Sequence, residues 1–491
     1  MIKVKYIIRR MEKTLLFLFK ALMITSLFLS FFGIFSIQNS QILNMNRTSI
    51  VSFVTFIVGI ILFIRIYGGF SIGQRRSKEI ANTVVLASIM TDSITFLVMM
   101  IMGISTENFS FYADKMTTGT IADIPFSDFV GYYFIEVVLP GLGLLLLVIL
   151  LQALLARIFT YLSNFIYFKI NAPKPTLIVY DNEKDLPAMV QKISKYQNRW
   201  RISEFMQYNH PDIKRAIRRN GAIFFFDIPK TDRAELVGYC YKHNKDIFVM
   251  PDISDIILNH AVHFVVDDTT VFASTTRSMS FEQLAIKRIC DILFSAILLL
   301  LTSPIMITAA IAIRMNDHGP VFYRQARLTK GGKEFNVLKF RSMVVNAESE
   351  TGAVLAKEKD DRITKVGRVL RRFRIDELPQ LFNILKGDMS VVGPRPERME
   401  IAQQYAKELP EFRYRLKVKA GLTGLAQIMS KYNTSPKDKL ALDLEYIEEY
   451  SILLDIKLML QTLIVFFKAD STEGMMDEDA ITLVKHDKHR D

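Results

Sequence analysis

The sequence predicts a membrane protein of mixed α and α/β architecture: four transmembrane helices, a small cytoplasmic α/β domain, and a mainly helical third domain carrying a re-entrant membrane helix. Three observations carry this reading. Four long apolar stretches open the chain, strands and helices alternate over residues 175–270, and a fifth apolar run has cations at both ends. Hydrophobic residues make up 50% of the 491, and the mean hydropathy of +0.21 is high for a soluble protein.

The four opening stretches lie at about Thr14–Phe35, Ser49–Ile66, Ile80–Ile104 and Tyr132–Ala156. At about 1.5 Å per helical residue each can cross a hydrocarbon layer of ~30 Å. Lys3, Lys5, Arg9, Arg10 and Lys13 precede the first stretch; Arg75, Arg76 and Lys78 separate the second from the third; Arg157, Lys169 and Lys174 follow the fourth. The two remaining loops hold one cation each, Arg47 and Lys115, and the second also carries Glu107, Asp114, Asp123 and Asp128. Cytoplasmic loops collect Lys and Arg, so the N-terminus and everything after residue 157 are expected in the cytoplasm. The basic N-terminus leads into an apolar run without a small-residue cleavage site, and it reads as an anchor that stays.

The net charge is +12, from 62 Lys plus Arg against 50 Asp plus Glu. Nucleic acid, anionic lipid or a phosphorylated substrate would each suit such a balance, but cations flanking membrane segments explain much of it, and nucleic-acid binding is not expected. Cys240 and Cys290 form no metal-ligand spacing and no disulfide framework, and seven scattered His residues give no zinc signature.

From Pro173 the texture changes. Thr176–Tyr180 and Ala222–Phe226 read as buried strands, Leu186–Tyr196 and Ala234–His243 as helices, and Asp246–Met250 and His263–Asp267 as further strands. The alternation argues for a small parallel, Rossmann-like domain over 171–275. A dinucleotide site would need glycines after the first strand. Here that turn is Tyr180-Asp181-Asn182-Glu183-Lys184, and no glycine lies between Ala172 and Asn220. A spacer or regulatory module without NAD is expected.

The fifth apolar run, Ile289–Ile313, follows Lys287 and Arg288 and precedes Arg314, Arg324, Arg327, Lys330 and Lys333. Cations on both sides conflict with a simple crossing. Pro304 removes one backbone hydrogen bond near the middle, and Ser303 can satisfy part of what it frees. A helix over 287–314 that enters from the cytoplasm, breaks at Ser303-Pro304 and returns resolves the conflict; a proline-kinked span is the alternative.

The third domain is expected over 276–468. Its centre is Arg371-Arg372-Phe373-Arg374-Ile375-Asp376-Glu377-Leu378-Pro379-Gln380-Leu381. Pro379 is tolerated only in a helix's first turn, which predicts a helix beginning close to Asp376 with both carboxylates ionised at its positive end. An ionised, low-pKa carboxylate can attack phosphorus, and its neighbour can hold Mg²⁺ against a diphosphate. Simple helix capping would also explain the pair. Nearby Arg371, Arg372 and Arg374, and the stiff stretch Gly387–Glu397 presenting Arg395, favour phosphate chemistry. Upstream, Gly319–Gln325 and Lys330–Lys333 read as a hairpin leading into Phe335–Met343, where Lys339 and Arg341 are further phosphate-binding candidates.

These stretches resemble the catalytic domain of the polyprenyl-phosphate hexose-1-phosphate transferases, the bacterial sugar transferase family. The likeness runs through Lys287-Arg288-Ile289-Cys290-Asp291, Ser303-Pro304, Val321–Met343, Asp376-Glu377-Leu378-Pro379-Gln380, Gly387–Pro396 and Gly421-Leu422-Thr423-Gly424. The front of the chain resembles the family's large polytopic branch. The resemblance implies that Asp376 is the nucleophile, Glu377 the Mg²⁺ ligand, and Arg371 and Arg395 phosphate-holding residues. It implies attack on the β-phosphorus of a UDP-sugar, release of UMP, and transfer from a phospho-sugar aspartyl intermediate to undecaprenyl phosphate, initiating exopolysaccharide, capsule or O-antigen synthesis. It also implies a bacterial inner-membrane setting. The expected partners are a UDP-sugar, polyprenyl phosphate and the lipid bilayer, with a homodimer as a candidate assembly. Glucose and galactose are the common sugars among long members. Ala420 stands where a proline often precedes Gly421, and Cys290 where an aromatic is frequent; both bear on substrate fit. The alternatives are another membrane-bound nucleotide-sugar enzyme (a UDP-releasing glycosyltransferase or a dehydratase) and an inactive membrane scaffold. Ala441–Lys468, apolar with interspersed acids, reads as helices at the membrane surface or as an internal pair. The polar tail 469–491 is expected to be disordered.

Overall fold

The computed structural model describes residues 2–38, 40–103, 131, 134–183, 186–259, 261–274, 279–345, 362–430 and 434–465. The tail 469–491 therefore lies outside the described residues. Among those described, five helices are long and apolar enough to cross a membrane: Thr14–Gln38, Arg47–Tyr67, Ser77–Met102, Phe134–Ile170 and Phe281–Asp317. The chain is a multi-pass membrane protein. It divides into two units between Met250 and Pro251.

The first unit opens with α1 (Ile2–Gln38), α2 (Arg47–Tyr67), α3 (Ser77–Gly103) and α4 (Leu139–Ile170). Asn46 starts α2 by accepting from Ser49 N at 2.8 Å, and Gly68, at φ 79°, ends it. Phenylalanines fill the space between α1 and α2; Phe32 and Phe53 meet edge to face at 4.5 Å. One polar pin crosses the apolar interior, where Gln152 Nε2 donates to Leu27 O at 3.0 Å and to Asp92 Oδ1 at 3.3 Å. Helix α4 runs well past the expected end at Ala156. Arg157 alone does not stop a helix, and no breaker intervenes before Asn171-Ala172-Pro173.

After Pro173 come β1 (Lys174–Tyr180), α5 (Leu186–Ser194), β2 (Trp200–Gln207), α6 (Ile213–Arg219), β3 (Ala222–Phe226), α7 (Lys230–Lys242) and β4 (Asp246–Val249). The strands form one parallel sheet in the order β2-β1-β3-β4. Alternation along β1 and β3 sorts the side chains by face. Leu177, Val179, Ile223 and Phe225 pack with residues of α6 and α7, while Ile178 and Phe224 pack with Leu186, Val190 and Ile193 of α5.

The second unit starts with α8 (Ile253–Asn259) and the hairpin β5 (Val262–Val266) and β6 (Thr269–Ala273). His263–Asp267 was expected among the strands of the parallel domain; instead this segment pairs antiparallel with β6. Asp267, at φ 56°, makes the tight reversal that sends the chain straight back. The expected domain end at 275 thus differs from the unit boundary at Met250, and Ile256 of α8 joins the second unit's core.

Helix α9 (Phe281–Asp317) begins with a capping box, Ser280 Oγ accepting from Gln283 N and Ser280 N donating to Gln283 Oε1. The expected break at Ser303-Pro304 is not an interruption: the helical run continues through both residues. Pro304 cannot donate to Leu300 O, and Ser303 Oγ takes that carbonyl at 2.8 Å. The antiparallel pair β7 (Phe322–Leu328) and β8 (Glu334–Phe340) follows, turning at Gly331 and Gly332. Then come α10 (Lys365–Arg372), α11 (Gln380–Lys386), β9 (Ser390–Val392), α12 (Met399–Glu408), β10 (Gly421–Thr423), α13 (Leu425–Met429), α14 (Pro436–Glu448) and α15 (Ile452–Val465). Strands β9 and β10 are parallel. Their core gathers Val337, Leu381, Ile384, Met389, Val391, Leu440, Leu444 and Leu458.

Candidate active site

Asp376 and Glu377 sit in a short 3₁₀ turn, Ile375–Glu377, between α10 and α11. Arg374, at φ 53°, reverses the chain after α10, and Pro379 caps α11, which begins only at Gln380. A helical turn thus begins close to Asp376 as expected, but it is this 3₁₀ turn; the α-helix itself starts at Gln380, and α11 is too short for its dipole to govern both acids.

The two carboxylates differ, and cations decide how. Burial alone would push the Glu377 carboxyl up, but Lys339, Arg395 and Arg374 together hold it well below the usual carboxylate range. Its Oε1 lies 3.3 Å from Lys339 Nζ and 3.2 Å from Arg395 Nη2, and its Oε2 lies 3.8 Å from Arg374 Nη1. Asp376 goes the other way. Burial and the neighbouring Glu377 charge push it up to about 6, against the pull of Lys339 and Arg371. The expectation of two low-pKa acids thus holds for Glu377 and fails for Asp376, whose buried side chain feels Lys339 and Arg371 only weakly against burial and the Glu377 charge.

Each cation is placed by its own element. Lys339 projects from β8, where burial lowers its pKa although Glu377 favours the charge. Arg395 follows β9, in a turn where three glycines permit backbone contact that side chains would forbid. A Cβ on Gly421 would stand 2.1 Å from Gly393 N, and one on Gly424 would stand 2.2 Å from Gly393 O. Buried Arg415 locks that turn, donating from Nη2 to Arg395 O at 3.0 Å and pairing with Asp443 at 2.8 Å.

Arg371 is turned by Ser342, whose Oγ accepts from Nε at 2.9 Å, and its charge reaches Asp376. Arg341 is not brought to the cluster. It is buried and pairs with Asp317 at the end of α9, with Gly319 directly against its guanidinium. Ser303 and Pro304 lie mid-helix in α9. Two residues not singled out from the sequence join the site. Arg327 of β7 donates to Pro396 O at 3.0 Å and lines the same cleft as Lys339, Glu377 and Arg395. Burial, then repulsion from Arg395, lowers its pKa to about 10. Gln427 of α13 lines that cleft too. Alternation along β7 relative to β8 was the available signal for Arg327; nothing local marks Gln427.

Among the described residues no group of three or more His, Cys, Asp or Glu forms a metal cage. The donors still fit Mg²⁺ of the kind held by one or two carboxylates plus substrate phosphate. Glu377 is ionised, but three cations surround it, so the residues favour a metal that arrives with a polyanion over a resident one.

The bacterial sugar transferase family model matches residues 282–469, all within the second unit. The chain is 43% identical over 181 residues to the UDP-N-acetylgalactosamine-undecaprenyl-phosphate N-acetylgalactosaminephosphotransferase of Aeromonas hydrophila, covering 36% of this chain and 43% of that protein. It is 40% identical over 181 residues to a UDP-glucose:undecaprenyl-phosphate glucose-1-phosphate transferase of Caulobacter vibrioides, covering 36% and 67%. Similarity to a putative undecaprenyl-phosphate N-acetylgalactosaminyl 1-phosphate transferase of Bacillus subtilis is 46% over 146 residues, 30% of this chain and 81% of that one. The matched part thus spans less than half of the Aeromonas protein and most of the Bacillus one. On this sequence evidence the chain belongs to the bacterial sugar transferase family.

Proposed function

We propose that the protein transfers a hexose-1-phosphate from a UDP-sugar to polyprenyl phosphate at the cytoplasmic face of a bacterial inner membrane, the first step in building an exopolysaccharide, capsule or O-antigen. The observation that carries this is a buried, basic carboxylate, Asp376, beside a Glu377 clamped by three cations in the family-matched segment. A carboxylate raised to about 6 is mostly ionised at neutral pH yet more basic than a free one, which suits a nucleophile. Its oxygen attacks the β-phosphorus, the bond to the bridging oxygen breaks, and UMP leaves with that oxygen. The acyl phosphate so formed is then attacked by an oxygen of polyprenyl phosphate, which takes the sugar phosphate and frees Asp376. Lys339, Arg327 and Arg395 orient the phosphates, and Glu377 fixes the cations. A Mg²⁺ held by Glu377 and substrate oxygens would neutralise diphosphate charge. The parallel sheet of the first unit is read as Rossmann-like and without a dinucleotide, because Asp181 and Glu183 stand where phosphate-binding glycines are required.

The relatives' names divide between glucose and N-acetylgalactosamine, so a panel of UDP-sugars is the test. With polyprenyl phosphate and Mg²⁺, the purified protein should release UMP from at least one. Release of UDP would instead mark a glycosyltransferase, and silence across the panel a scaffold. Chelation should cut the rate at least ~10-fold and added Mg²⁺ restore it; undiminished turnover in chelator would remove the metal from the scheme.

Helix α9 is proposed as re-entrant. Its N-terminal part is held by Val392, Ile384 and Asp455, and its C-terminal part packs through Ala309 and Ile313 on Phe340 and Leu370 of the same unit. A membrane-crossing helix would carry its two ends to opposite sides of ~30 Å of hydrocarbon. In a Cys290→Ser background, a cysteine placed just after Arg314 should label only from the cytoplasmic side; labelling from outside would replace the re-entrant helix with a crossing one.

A further inference from the structure

A second cavity, of about 260 Å³, adjoins the cation-lined cleft and shares Glu377, Leu422 and Gln427 with it. Its chemistry is the opposite. Phe294 and Leu298 of α9, Val391, Ile428 and Met459 wall it, Thr423 and Thr462 add hydroxyls, and among the described residues the only charged groups lining it are Arg374 and Glu377. The apolar wall continues outward. On α9, Ile297, Leu300, Leu301 and Ile305 are exposed, so a chain leaving past Phe294 runs onto a surface suited to hydrocarbon.

Gln427 marks the junction. Its Nε2 is buried and has no hydrogen-bond partner among the described residues, although it lines both spaces. A buried amide donor without an acceptor is costly and signals a missing one. In a cleft where Arg327, Lys339 and Arg395 outnumber Glu377, the acceptor that fits is an anionic oxygen.

We propose that this apolar cavity seats the phosphate-proximal end of the prenyl chain, and that Gln427 Nε2 donates to the lipid's phosphate at the cavity mouth. The occupant is an anion with a hydrocarbon tail: its head is matched by the cations and the orphan amide, its first isoprene unit by the apolar walls, and the rest of its tail by the exposed face of α9. The cavity is smaller than the ~300–1,000 Å³ of a site that encloses a whole small molecule, as expected if it holds one end of a long chain. This assignment rests on the proposed transfer to polyprenyl phosphate and adds where that acceptor enters.

The test uses the full-length protein in lipid nanodiscs with Ile428→Trp and Met459→Trp, which fill the cavity from two elements, and Gln427→Leu, which removes the donor. The two tryptophan variants should raise the half-saturating polyprenyl phosphate concentration at least tenfold, while UMP released from the UDP-sugar without acceptor stays within about twofold of the wild type. Gln427→Leu should raise it at least threefold. Farnesyl phosphate binding to the unloaded protein, read by native mass spectrometry, should weaken by similar factors. Farnesol and inorganic phosphate, each offering one half of the ligand, should bind far more weakly than farnesyl phosphate. Unchanged lipid saturation and binding in both tryptophan variants, or an equal loss of acceptor-free UMP release, would overturn the assignment. Because the binding measurement needs no turnover, an inactive wild-type protein would sink the transferase reading while the cavity is still judged by farnesyl phosphate.

Discussion

Asp376→Asn is expected to abolish covalent loading by a UDP-sugar, lowering turnover by at least about 10³-fold, because the amide keeps the shape of the side chain and loses the nucleophile. The same change should make the protein more stable. Burial and the adjacent Glu377 raise the Asp376 carboxyl from an ordinary 3.8 to about 6, so the charged form is held at a cost of roughly 3 kcal/mol. Below about pH 4 folded and unfolded chains both carry the proton, and the carboxyl costs nothing. Between about 4 and 6 the folded chain keeps a proton that the unfolded chain has lost. Above about 6 both are ionised and the folded chain bears the whole difference. With chelator present, the asparagine variant should therefore melt above the wild type at pH 8, and the gap should close on acidification toward pH 4. In the wild type, loading should fall as pH drops through about 6. A variant no more stable than the wild type at pH 8 would mean that Asp376 is not held against its charge. Retained loading would move the nucleophile elsewhere.

That prediction could not be made from the sequence, and the reason is physical. Asp376 and Glu377 are adjacent, so the pair and its neighbouring arginines were legible, but adjacency suggested a shared helix terminus and one common effect on both acids. Their actual divergence depends on Lys339 and Arg395, which approach Glu377 from β8 and from the turn after β9. Only the fold brings those groups together. Arg341 shows the converse error. It belongs to the same cation-rich stretch as Lys339, but β8 ends at Phe340, and Arg341 just beyond it, its backbone N–H donating to Val321 O, pairs with Asp317 at the end of α9 instead of reaching the acids. The apolar runs were legible because burial in lipid needs nothing beyond composition and length. The end of α4 was misplaced because a single arginine reads as a flank in sequence but does not interrupt helical hydrogen bonding. The parallel sheet was anticipated in its first strands, and lost at His263–Asp267, where a two-residue reversal outweighed the pattern of alternation.

Lys287→Met is expected to cost about 3–5 kcal/mol of stability, the range for breaking a buried ion pair on one side. Lys287 Nζ lies 2.6 Å from Asp455 Oδ2 and donates to Val392 O at 3.1 Å, and the Tyr446 hydroxyl donates to Asp455 Oδ1 at 2.9 Å. Both charged side chains are almost wholly buried. Removing the ammonium leaves a carboxylate that burial already pushes up, now without its cation. The double variant Lys287→Met/Asp455→Leu should regain most of the loss, because an apolar pair needs no compensation. Acidification should narrow the gap between Lys287→Met and the wild type, since a buried acid with a raised pKa costs nothing once folded and unfolded chains are both protonated. The consequence should reach the active site. Next to Lys287, Arg288 donates to Ile384 O and Leu385 O at 2.6 Å, at the end of the helix that follows Glu377. One turn on, Asp291 accepts from Ser390 Oγ and Val391 N on the strand that leads to Arg395. The first turns of the membrane helix thus hold both elements that position the phosphate cluster. At a temperature where Lys287→Met remains folded, its half-saturating UDP-sugar concentration should rise several-fold and return toward the wild-type value in the double variant. Melting curves and saturation curves of the wild type and the two variants decide it: a stable Lys287→Met protein would show that the pair carries no load, and a destabilised one with unchanged saturation would show that α9 anchors the fold without positioning Arg395.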